Sequence, residues 1–103
     1  MNINSDRRKE LGNYLKEKRV QAVLTQLAVA KSVKLTSAQS ISNIERGMAP
    51  VPTFVLRRMI QLYQISEAEI MWKLMDLQLR QWRDDFFPEA KAASGGGRPL
   101  SPA

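Results

Sequence analysis

Apolar residues in this chain recur at three- and four-residue steps in five stretches, each bounded by residues that start or stop a helix. Over 6–20, Leu11, Tyr14 and Leu15 form a stripe opposite Arg7, Arg8, Lys9, Lys16 and Lys18. This predicts a first helix preceded by a loose arm of residues 1–5. Arg19 falls near its end, beside an apolar stretch (Val20, Val23, Leu24) expected to enter the core. Thr25 suits the N-cap of a short second helix over 26–33, where Leu27, Val29, Ala30 and Val33 have helical spacing. Lys34, Leu35 and Thr36 make the turn, and Ser37 opens a third helix that Gly47 ends in a left-handed conformation. The two prolines of 48–52 exclude regular helix. Thr53 then caps a fourth helix carrying Leu56, Met59, Ile60 and Tyr63. Ser66 and Glu69 form an S-x-x-E capping box for a fifth, which extends to residue 87 and stops at Pro88. The expected fold is all-α, five helices with an extended C-terminal one.

The third helix differs from the others in its polar side. Ile41 and Ile44 share one face, leaving Ala38, Gln39, Ser42 and Asn43 pointing elsewhere. A merely solvated helix carries Lys and Glu, whereas small residues and amides can enter a DNA groove and hydrogen-bond to base edges. A competing local reading makes Thr36 the cap and folds Gln39 back as the third residue of a capping box, which would remove it from any groove.

The fifth helix carries two apolar strips. Ile70, Leu74 and Leu77 lie together, while Met71, Met75, Leu79, Trp82 and Phe86 fall roughly 100–180° round the helix. The first strip closes the domain's own core. The second is expected to be a homodimer interface, the alternative being a helix that curls back and buries both. The expected division is a core over 1–66, a closing and dimerising helix over 67–87, and a disordered Gly- and Pro-rich tail over 88–103.

Charge sharpens this picture. The 16 Lys and Arg against 10 Asp and Glu leave +6 overall. Residues 1–64 account for +7 and residues 65–103 for −1. A basic half that contains the amide-rich helix is expected to attract a polyanion, DNA, RNA or anionic membrane; the bland alternative is charge that only confers solubility. The chain has neither Cys nor His, which removes disulfides, Cys/His zinc sites, thiol nucleophiles and an imidazole base. No apolar run reaches the ~18 residues of a membrane span and the first residues lack a secretory segment, so a cytoplasmic protein is expected. No cofactor, metal, small-molecule ligand or enzymatic chemistry is expected. The glycines of 95–97 have no flanking strand and read as linker, and the adjacent Asp84 and Asp85 read as a solvated helix end.

From about Leu11 to Ile70 the chain resembles the Cro/CI phage-repressor-like helix-turn-helix (XRE) family. The resemblance rests on K-x-K-R-V-Q (16–21), L-T-Q (24–26), V-A-K-S-V (29–33) and above all S-A-Q-S-I-S-N-I-E-R-G (37–47), followed by Pro52 and Phe54. It implies a lambda-repressor-like fold and a DNA-binding transcriptional regulator, most simply a dimeric repressor, with the helix over 37–46 in the major groove. Ala38, Gln39, Ser42 and Asn43 would then face bases, Gln39 and Asn43 suiting adenine and the Ala38 methyl a thymine methyl. Gln26 stands where the family commonly contacts phosphate; Ser40, Arg46, Arg8, Arg57 and Arg58 are further phosphate candidates. Arg19 and Glu45 occupy the positions of the family's buried ion pair. Two features depart from the pattern: the turn between helices 2 and 3 is one residue longer, with Lys34 where glycine is common, and the M-A-P-V-P loop after Gly47 lacks the usual basic residues. Domains of this sort also serve as antitoxins, so an antitoxin-like protein-interaction role for helix 67–87 or the tail is the second expectation.

Overall fold

A computed structural model describes residues 2–34 and 37–89. The chain runs α1 (Ser5–Gln21), α2 (Gln26–Ser32), α3 (Ala38–Glu45), α4 (Thr53–Tyr63) and α5 (Glu67–Phe86), with no strand among the described residues. The five-helix all-α fold is therefore the one expected. α2 packs on α3, α1 lies across α3 and also meets α4 and α5, and α4 closes on α2. The shared core is built from the predicted apolar stripes: Leu11 and Leu15, Val29, Ala30 and Val33, Ile41 and Ile44, Val55, Met59 and Tyr63, then Ile65, Ile70 and Leu77.

The helix starts follow local chemistry. Asn4, Thr25 and Ser66 each adopt an extended backbone and accept a side-chain hydrogen bond from the N–H three residues on, at 3.0 Å from Arg7, 3.0 Å from Ala28 and 3.1 Å from Glu69. Ser37 holds the cap position of α3 without a side-chain bond. Pro52, rather than Thr53, is the cap of α4, its fixed φ of −63° setting the turn while its carbonyl accepts from Leu56 N–H at 2.9 Å.

The first residues are not a loose arm as far as residues 3–5 are concerned. Ile3 packs against the core, Asn4 caps α1, and the Asn4 N–H donates to the buried Gln81 Oε1 at 2.8 Å, tying the start of the chain to the end of α5. Val20 and Val23 stay outside the core at 57% and 89% exposure. The reason is the backbone: Val23 turns left-handed at φ 58° as α1 ends, which throws its side chain to solvent and sends Leu24 inward in its place. Lys34 at φ 59° adopts the conformation a glycine takes without strain. The neighbouring residues 35–36, and with them the Thr36 cap, lie outside the described residues, as do 90–103 of the expected tail.

α5 is held along α1 by charge as well as by Ile70, Leu74 and Leu77. Glu10 receives Lys73 Nζ at 3.2 Å and the Arg80 guanidinium, which also binds Asp76 at 2.8 Å. The bond from Arg80, aided by Lys73, holds the Glu10 carboxyl below its ordinary pKa against the opposing effect of burial. Glu69 does not complete a capping box: its carboxylate reaches Lys18 Nζ and Tyr14 Oη, both at 2.5 Å, because an ammonium partner outweighs a neutral N–H. Asp84, expected to be a solvated end residue, instead pairs with Arg7, both side chains being largely buried at 12% and 14% exposure. Asp85 accepts from Gln81 Nε2 at 2.9 Å.

The second strip of α5 stays open. Met71, Met75, Leu79, Trp82 and Phe86 are 48–69% exposed, so the helix does not curl back to bury both faces. Its other flank is committed to α1 through the ion pairs just described.

Candidate nucleic-acid interface

α3 is seated by an unusually close approach. Gly12, in the middle of α1, lies so near the end of α3 that a Cβ there would stand 2.4 Å from the carbonyl oxygens of both Ile44 and Glu45. Gly47, left-handed at φ 73°, brings the chain nearly as close to the Lys9 backbone, where a Cβ would stand 2.6 Å from Cα and N. An isolated glycine inside a helical pattern was the available signal for Gly12.

Beneath this contact sits the ion pair expected from Arg19 and Glu45. Arg19 Nε lies 2.7 Å from Glu45 Oε2 and its Nη2 3.2 Å from Oε1, while its Nη1 donates to the Leu24 carbonyl at 2.7 Å. Glu45 is 5% exposed, so a carboxylate is buried only because this fork and Gln26 Nε2, at 2.9 Å from Oε1, satisfy it. The Gln26 amide, expected to meet phosphate, thus spends a donor inside the protein and braces the start of α2 against the end of α3. Tyr63 forms part of the core nearby. Burial raises its phenol pKa above the ordinary value, with the Glu45 carboxylate adding to the rise and Arg19 opposing it.

The outer side of α3 is left open. Ile41 and Ile44 are buried, while Gln39 and Arg46 are exposed and Ala38, Ser40, Ser42 and Asn43 are half-buried. At about 100° per residue, Gln39, Asn43 and Arg46 fall within an arc of about 60° directly opposite the isoleucines. They are bonded to one another: Gln39 Nε2 and Arg46 Nη2 both donate to Asn43 Oδ1 at 2.9 Å. Gln39 therefore turns along the helix, not back to its start. Ser42 and Ala38 flank this row on one side and Ser40 on the other.

The remaining cations are spread more widely. Arg8 reaches the Gly47 carbonyl at 3.4 Å, beside the end of α3. Arg58, exposed on α4, reaches Ser32 Oγ at 3.3 Å at the end of α2 and Gln61 at 3.1 Å. Arg57 is exposed on α4. The geometry offers a convex helix with amide and guanidinium groups on its crest, carried by the basic half of the chain. Among the described residues no His, Cys, Asp and Glu cluster is arranged to hold a metal, and no helix is long and apolar enough to cross a membrane.

The family model for a helix-turn-helix domain matches residues 10–71 of the chain. No curated protein and no solved structure matches the chain.

Proposed function

The chain belongs to the helix-turn-helix domain family, and on that premise we propose that it is a sequence-specific DNA-binding transcriptional regulator of the Cro/CI-like (XRE) kind, a cytoplasmic homodimeric repressor with no catalytic chemistry. One observation carries the reading. The face of α3 that is not anchored in the core carries Gln39, Ser42, Asn43 and Arg46, the first and last exposed and the middle two half-buried, while Ile41 and Ile44 on its opposite side are buried in the core shared with α1 and α2. A helix so mounted enters a major groove, where amides and guanidinium groups meet base edges. Arg8, Arg46, Arg57 and Arg58, with Ser40 and the second Gln26 donor hydrogen, are the groups assigned to phosphates.

The open strip of α5 supports the dimer. Its five large apolar residues lie on a helix whose other flank is fixed by ion pairs to α1, so a second copy can cover the strip without disturbing the fold. A two-fold pair would set two copies of α3 in successive major grooves about 34 Å apart. Selection of bound duplexes from a random pool tests both parts, because a palindromic consensus reports recognition and assembly together. Mobility shift at rising salt supplies the control: specific binding persists with a steep salt slope, and a chain that shifts no duplex at about 50 mM salt refutes the proposal. The antitoxin-like reading rests on the same strip. It gains if the chain sediments as a monomer at micromolar concentration.

A further inference from the structure

The row along the crest of α3 is a hydrogen-bonded unit, and its bonding decides what each member has left to offer. Asn43 Oδ1 accepts from Gln39 Nε2 and from Arg46 Nη2, each at 2.9 Å. The amide orientation is fixed by chemistry, since rotating it by 180° would set an NH2 group against two other donors. Asn43 has therefore spent its acceptor and keeps two Nδ2 hydrogens. Gln39 keeps Oε1 and its second Nε2 hydrogen, the acceptor and donor that a bidentate pair with adenine requires. The bidentate adenine contact open to an isolated asparagine is closed to Asn43, because it needs the oxygen already engaged.

Building on the DNA-reading role proposed above, we infer that Asn43 is the positioning residue of the recognition helix: it holds Gln39 in register for adenine and itself selects guanine. In the major groove guanine presents two acceptors, N7 and O6, and no donor, which matches a group that can only donate. Arg46, whose Nη2 is bound to the same oxygen, is held with its other nitrogens free for the adjoining base or phosphate. Single-residue reading assigns one base to each side chain; this arrangement couples three side chains through one oxygen.

Two substitutions separate the roles. Asn43→Asp keeps an oxygen for Gln39 and Arg46 and replaces the donors with a second acceptor. Asn43→Ala removes the hub. The Asn43 side chain is half-buried, and the turn contact at this position comes from its backbone carbonyl, which accepts from Met48 N–H at 2.9 Å. Both variants are therefore expected to fold, as thermal melting checks. Random-pool selection with the full chain is expected to return adenine and guanine at two distinct positions of the half-site. Asn43→Asp should keep the adenine and exchange guanine for cytosine, whose N4 donates to a carboxylate, with a preference change on the order of tenfold. Asn43→Ala should relax both positions together. The inference is overturned if Asn43→Asp leaves the guanine in place, if the base lost is adenine, or if Asn43→Ala relaxes one position only. A wild-type chain that enriches no motif removes the DNA reading and this inference with it, whereas a motif with the wrong base at this position removes the inference alone.

Discussion

Replacing Gly12 by alanine tests how α3 is carried, because two opposing effects give the experiment a sign. In the middle of a helix with open space around it, Gly→Ala stabilises by about 1 kcal/mol through backbone entropy and propensity. Here the added methyl would meet the Ile44 and Glu45 carbonyl oxygens at 2.4 Å and the Glu45 carbonyl carbon at 2.7 Å. These are backbone atoms, which no rotamer change moves aside, so α1 and α3 must separate by about 1 Å to restore ordinary contact. Overpacking of this kind costs about 1–3 kcal/mol, and a clash with two rigid carbonyls belongs at or above the upper end. The net expectation is a loss of about 2 kcal/mol or more, read as a fall in Tm of at least roughly 8–16 °C for a domain of this size. Far-UV circular dichroism melting at one fixed protein concentration is the assay, since dimerisation makes Tm depend on concentration. A rise in Tm would show that the two helices are not in backbone contact at Gly12, and the account of how α3 is seated would fall.

Four further outcomes follow from the same geometry. Glu45→Ala leaves the Arg19 guanidinium without its carboxylate in a largely buried site and should cost about 3–5 kcal/mol in urea unfolding; a loss under about 1 kcal/mol would mean that the pair is solvated. Glu10 titrates below its ordinary pKa when folded, so its contribution is complete above the unfolded glutamate value of about 4.3 and disappears as pH falls through the folded value. Glu10→Gln should therefore flatten the acid limb of a stability–pH curve without changing its shape near pH 7; an unchanged acid limb would count against the α1–α5 staple. Leu79→Glu, on the open strip of α5, should convert a sedimenting dimer to a monomer with the helical content unchanged, and a dimer that persists would place the interface elsewhere. Gln39→Ala should weaken the best site by about 1–3 kcal/mol with random-sequence affinity nearly unchanged, while Arg58→Ala should weaken all duplexes alike; equal losses on both kinds of DNA for Gln39→Ala would deny it a base-reading role.

Much of the scaffold is written in local pattern. Three- and four-residue spacing placed all five helices within a residue or two, and the caps at Thr25 and Ser66 mark their starts because an N-cap needs only a short polar side chain and the next turn's N–H. Ile41 and Ile44 show which side of α3 is buried, and hence which residues remain for contact. The division of α5 into a covered strip at Ile70, Leu74 and Leu77 and an open one along Met71–Phe86 is likewise a matter of angle around one helix. Each of these properties depends on residues within a few positions of one another, so the chain's order alone carries it.

What the order of residues could not decide is where long side chains go once several partners compete. Glu69 looks like the second half of a capping box and goes instead to Lys18 and Tyr14; Asp84 looks solvated and is pinned to Arg7; Gln26 looks turned to phosphate and braces Glu45; Asn4 looks like loose arm and joins α1 to Gln81. Gly12 is a weak point in a helix until α3 crosses it. In every case the deciding neighbour lies on another helix, tens of residues away along the chain, and the strength of a buried or charge-assisted bond depends on a distance and a dielectric that exist only once the helices have packed. Sequence determined the helices and the face that α3 exposes; tertiary packing determined which long polar side chains are spent on joining one helix to another.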